Sequence, residues 1–142
     1  MARLHSETFI DAPPERVWQV LTDFAAYPEW NPLLVEARGE PRAGARVKVR
    51  AALKPGAGPR LRFSATVVRA DAGEALVWRG GVPGVLFGEH FFHLRAEGSG
   101  TRFEQGEVFT GLFSLLLGAG VRRRMERAYA AMNEALARRV AR

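Results

Sequence analysis

Apolar and polar residues alternate through most of this chain, and a three-to-four-residue period replaces the alternation near the start and at the end. Residues 3–11 alternate and predict a first strand. Ala12-Pro13-Pro14-Glu15 then opens a helix, with proline in the first turn, where no amide hydrogen is needed, and Val17, Trp18, Leu21 and Phe24 forming its apolar stripe. Tyr27-Pro28-Glu29-Trp30-Asn31-Pro32 leaves room for one short helical turn between prolines. Strands follow at 33–38, through Val47, Val49, Ala51 and Leu53, and through Leu61, Phe63, Ala65 and Val67. The turn Asp71-Ala72-Gly73 leads to a fifth strand with Leu76 and Trp78 on one face. Residues 86–97 and 101–110 supply the sixth and seventh, joined by a tight hairpin at Glu97-Gly98-Ser99-Gly100. Composition marks 54–59 and 80–84 as loops. Last, Val121, Met125, Ala128, Met132, Leu136 and Val140 recur at helical spacing, with Arg123, Arg124, Arg127 and Arg138 roughly opposite. A helix over 121–142 would be about 33 Å long. Six consecutive strands followed by one long helix define an α+β chain whose antiparallel sheet carries that helix.

With 142 residues, nearly half of them apolar, the chain reads as a single folded domain spanning 1–142. It has no cysteine, no signal-peptide-like start and no apolar run long enough to cross a bilayer, so a cytoplasmic setting without a disulfide framework is expected. The net charge of +6 is concentrated: residues 121–142 hold seven arginines against two glutamates, leaving the rest near neutral. That argues against a surface built to wrap nucleic acid. It leaves a basic ridge at Arg123, Arg124 and Arg127 that reads first as a solvated helix face and second as a weak site for an anionic partner.

Strand parity assigns the candidate chemistry. In the seventh strand Phe103, Gln105, Glu107 and Phe109 share a face, which the two phenylalanines mark as inner. In the sixth, Leu86, Gly88, His90, Phe92 and Leu94 form the better inner set. His90, Gln105 and Glu107 therefore point toward the long helix, where a buried carboxylate must be paired or protonated and an imidazole must find partners. Such a polar patch can orient a ligand or exchange protons, or the groups can simply satisfy one another. His90 and His93 are three apart on a strand and face opposite ways, so no metal pair forms. No serine sits in a nucleophile turn, and no glycine-rich nucleotide loop occurs, so no cofactor is expected. The run from Leu112 to Gly120 is more apolar than a surface connector requires. It suits a buried segment, a gate to a cavity, or a contact with a membrane or partner.

The run Ile10 to Phe24, followed by Tyr27-Pro28-Glu29-Trp30-Asn31-Pro32, resembles the opening of the polyketide cyclase/dehydrase-like branch of the START/Bet v 1 (SRPBCC) superfamily. The resemblance continues through Leu76-Val77-Trp78-Arg79-Gly80, Gly88 to Leu94, Gly100 to Phe103, Glu107-Val108-Phe109 and Ala131 to Leu136, in the family's order. It implies a helix-grip fold: a curved seven-stranded antiparallel sheet around the C-terminal helix, with two short helices after the first strand. It also implies a cavity between sheet and helix. The leading expectation is binding of a hydrophobic or aromatic lipid-like molecule lined by Trp78, His90, Phe92, Phe103, Gln105, Glu107, Phe109, Met125, Tyr129 and Met132. The alternatives are a cyclase, aromatase or dehydratase in which Glu107 and His90 act as acid and base, and an interaction module using the basic helix face.

Overall fold

The computed structural model describes residues 1–52 and 60–142. One sheet holds seven strands: β1 (Ala2–Ile10), β2 (Leu34–Arg38), β3 (Arg46–Ala51), β4 (Leu61–Asp71), β5 (Ala75–Val82), β6 (Leu86–Glu97) and β7 (Gly100–Thr110), in the spatial order β1-β7-β6-β5-β4-β3-β2. Every neighbouring pair is antiparallel. From β2 to β7 the chain folds as successive hairpins, and β1 returns to close on β7. The register shifts at Leu34/Glu36 and Val67/Arg69 are irregularities of the kind that bend and twist strands, and the sheet curls into a half-barrel.

Three helices complete the fold: α1 (Pro14–Thr22), α2 (Tyr27–Trp30) and α3 (Ala119–Val140), with 3-10 turns at Phe24–Ala26 and Leu112–Leu116. Pro14 occupies the first turn of α1 and Glu15 adds a carboxylate there, while Arg138 and Arg139 lie in the last turn of α3; both placements suit the helix dipole. Asn31 ends α2, and its Oδ1 accepts from the amides of Leu33 and Leu34, which aims the chain into β2. Met132 and Leu136 of α3 are fully buried against the sheet, together with Leu4, Leu76, Phe92 and Phe103. Burial of each such side chain contributes roughly 1.5–3 kcal/mol. α1 packs beside α3 and brings Val17 and Leu21 into the same core.

Two local expectations change. Gly80, Gly81 and Val82 are not loop but the end of β5, held by pairing with Gly88, Phe87 and Leu86; the turn is confined to the residues between β5 and β6. Val121 is 41% exposed and outside the core stripe, because α3 begins at Ala119 and its first turn runs past the packed region. The expected extension of β3 to Leu53 and the loop at 54–59 lie outside the described residues.

Candidate functional site

Cross-strand pairing sets the site out in rows. Trp78 lies opposite His90, and His90 opposite Glu107. One step along, Gly80 lies opposite Gly88, and Gly88 opposite Phe109. One step the other way, Leu76, Phe92, Gln105 and Ser6 form the next row. Two facing glycines leave the inner surface without side chains there. A cavity of about 220 Å³ occupies that space, with Trp78, His90, Glu107, Phe109, Met125 and Tyr129 in its wall. Leu33, Leu34, Ala51 and Phe63 complete the side toward β2–β4, and Leu61, Gly81 and Leu86 reach its mouth. A cavity of about 150 Å³ accommodates benzene, so this one admits a somewhat larger ring system or a short acyl chain.

Phe92, Phe103, Gln105 and Met132, also expected in the lining, are fully buried but stand outside the cavity wall. Parity puts them on the correct face, but Phe92, Phe103 and Met132 pack into the same core as Leu4, Leu136 and Val17 and Leu21 of α1. They form the floor on which the cavity rests.

The polar groups form one directed chain from that floor to the cavity. Ser6 donates from Oγ to the carbonyl of Gln105 at 3.1 Å, and Asn133 donates from Nδ2 to Ser6 Oγ at 2.9 Å. Asn133 Oδ1 accepts from Gln105 Nε2 at 2.7 Å, and the same Nε2 lies 3.4 Å from the carbonyl of Tyr129. Backbone carbonyls can only accept, so the amide orientations are fixed. Gln105 Oε1 is therefore turned to His90 and accepts from Nε2 at 2.9 Å, which makes the Nε2–H tautomer the one the site selects. His90 Nδ1 then faces Glu107 Oε1 at 3.5 Å.

Tyr129, from α3, donates to the same Glu107 Oε1 at 2.6 Å. Burial, then the nearby Glu107 charge and this hydrogen bond, push the phenol well above its ordinary pKa, so it remains a donor. His90 is held between rings, 5.6 Å from Trp78, 4.7 Å from Phe92 and 5.4 Å from Tyr129 between centroids. Gly88 gives the Glu107 carboxylate its place: a Cβ there would meet Oε2 at 2.6 Å and the Phe109 ring at 3.2 Å. The site thus presents an apolar, partly aromatic wall and one polar corner formed by His90, Glu107 and Tyr129. Ser6 and Asn133 escaped the sequence reading because each is a lone polar residue; the only signal was the i, i+4 placement of Asn133 behind Tyr129. Among the described residues no cluster of His, Cys, Asp or Glu is arranged to hold a metal. No helix among them is long and apolar enough to cross a membrane.

The fold agrees with the comparisons. Residues 1–141 match the family described as polyketide cyclase / dehydrase and lipid transport, and the chain belongs to that family. No curated protein matches its sequence. A START superfamily protein from Mycobacterium smegmatis superposes with a TM-score of 0.79 at 16% identity, covering 98% of this chain and 97% of the other. A protein from Thermus thermophilus gives 0.77 at 20% identity, covering 99% and 97%. The Zhui aromatase/cyclase from a Streptomyces species gives 0.73 at 18% identity, covering 99% and 94%. At these identities the structures establish a shared helix-grip fold.

Proposed function

We propose that this protein binds a small hydrophobic or aromatic, lipid-like molecule in the cavity between β5–β7 and α3. The observation that carries the reading is the cavity itself, apolar on most sides and closed at one corner by His90, Glu107 and Tyr129. An aromatic body burying about 200 Å² would gain roughly 5 kcal/mol from apolar transfer, an affinity of order 0.1–1 mM before any polar contact. The polar corner would supply orientation. Native mass spectrometry of the protein as purified from cells, followed by extraction, tests this: a co-purifying small lipid, quinone or polyphenol is the expected result. A protein that arrives free of ligand and takes up no aromatic probe would contradict it.

A second reading, an acid–base enzyme of the cyclase, aromatase or dehydratase type, is favoured by the His90–Glu107 contact at the cavity wall. It predicts that Glu107→Gln removes turnover while affinity survives. Turnover and affinity falling together would leave binding as the better description. The family description and the aromatase/cyclase likeness support both readings. The exposed Arg123, Arg124 and Arg127 are a solvated face in this reading, since nothing in the family or the similar structures supports an anionic partner there. A cytoplasmic setting rests on the absence of cysteine.

A further inference from the structure

The cavity mouth lies within the largest concentration of exposed apolar side chains among the described residues. In the 3-10 turn, Leu112, Leu115 and Leu116 are 70–73% exposed and Phe113 is 49% exposed. At the β5–β6 turn, Val82, Val85 and Leu86 are exposed as well. The two segments are bonded together: Leu112 donates its amide to the Gly84 carbonyl at 3.1 Å and Phe113 to that of Val85 at 2.9 Å. Gly111 allows the approach, having a positive φ of 100° and no Cβ to meet the Val85 oxygen at 2.5 Å. Leu86 belongs both to this surface and to the cavity wall. A continuous apolar rim of this kind marks an interaction surface.

The charge beside it identifies the partner. Residues 108–125 contain three arginines and no Asp or Glu. Arg122 precedes Met125 by three residues and so stands on the cavity side of α3, unlike Arg123 and Arg127, which point to the opposite side. Its Nε is buried yet meets no hydrogen-bond acceptor among the described residues. An apolar surface bordered by the cationic side chain of Arg122, with no carboxylate from Val108 to Met125, complements phosphate headgroups above acyl chains. A second copy of this chain docked by the same surface would bring its own Arg122 there and no carboxylate from Val108 to Met125 to pair with it. We infer that the surface formed by the Leu112–Leu116 turn, the β5–β6 turn and Arg122 docks on the face of a bilayer containing anionic phospholipid. Docking would set the cavity mouth against the lipid. The inference does not depend on which molecule the cavity holds, and it stands or falls separately from the binding reading.

Co-sedimentation with vesicles tests it directly. One set is phosphatidylcholine alone and the other contains phosphatidylglycerol. The protein is expected to bind the anionic vesicles more strongly and to be released by salt. Replacing both Leu115 and Leu116 with serine, at positions too exposed to disturb the core, is expected to weaken vesicle binding about tenfold or more. Arg122→Gln is expected to cost about fivefold on anionic vesicles and little on neutral ones. Circular dichroism of each variant establishes that it is folded. Failure to bind either vesicle would overturn the inference. So would sedimentation equilibrium showing a dimer that the leucine replacements dissolve, since the surface would then belong to a second copy.

Discussion

His90 and Glu107 face each other across β6 and β7 with Nδ1 3.5 Å from Oε1, while Gln105 holds the far side of the same imidazole at 2.9 Å. The direction of the hydrogen-bond chain gives the pair its character. The chain through Ser6, Asn133 and Gln105 ends on backbone carbonyls, so the Gln105 oxygen is the atom turned to His90 Nε2, and Nδ1 is left on the Glu107 side.

A long-range ¹H–¹⁵N spectrum of histidine-labelled protein reads this arrangement. His90 Nε2 is expected to give the signal of a protonated nitrogen. His5 and His93, which are more exposed, serve as internal references. Gln105→Leu should release the constraint and mix the tautomers. It should also lower stability by about 1–3 kcal/mol in urea titrations, because His90 and Asn133 each lose a buried partner. An unprotonated Nε2 in the parent protein would refute the assignment.

Gly88 is predicted to control access to the polar corner. Alanine there must push the Glu107 carboxylate from its position 2.6 Å away, since the Phe109 ring leaves little other room. Overpacking of this kind costs about 1–3 kcal/mol, and the variant should bind aromatic ligands roughly tenfold more weakly while keeping its secondary structure. Isothermal titration of parent and variant would show it; unchanged affinity would mean that the ligand does not approach Glu107.

Alkaline stability follows from the chain's two tyrosines. Burial foremost, then Asp23 beside Tyr27 and Glu107 beside Tyr129, push both phenols above the ordinary value. In the unfolded chain they ionise near pH 10. The folded state therefore holds more protons above about pH 10, and stability falls as pH rises, by up to about 1.4 kcal/mol per pH unit for each tyrosine. Below about pH 9 neither contributes a slope. Urea midpoints from pH 8 to pH 11 check this, and Tyr129→Phe should roughly halve the decline. Tyrosinate absorbance appearing before unfolding would contradict it.

Much of the fold follows from periodicity and turn residues, because a half-buried strand and an amphipathic helix write their faces into the chain. Gln105 and Glu107 were placed inward by the flanking Phe103 and Phe109, and the structure puts all four on that side. What periodicity cannot reveal is depth along a face. Met125 and Met132 occupy the same stripe of α3, yet one lines the cavity and the other is packed solid, because α1 covers only one half of the sheet. Gly80 and Gly88 reveal the open half only once pairing shows them opposite each other. Gly80 to Val82 read as a loop because glycine normally breaks strands; here β6 supplies the partner that the local sequence does not show.

Those two methionines provide the most direct test of the cavity. Apart from Met1 they are the only methionines in the chain, so methyl-labelled protein gives nearly unambiguous ¹H–¹³C signals. Naphthalene or 1-naphthol would be titrated in. Ring-current shifts at the Met125 methyl that saturate with ligand, with Met132 almost unmoved, are the predicted result. Shifts of Met132 equal to those of Met125 would place the ligand in the half occupied by α1, and the absence of shifts at either would mean that sheet and helix enclose no usable site.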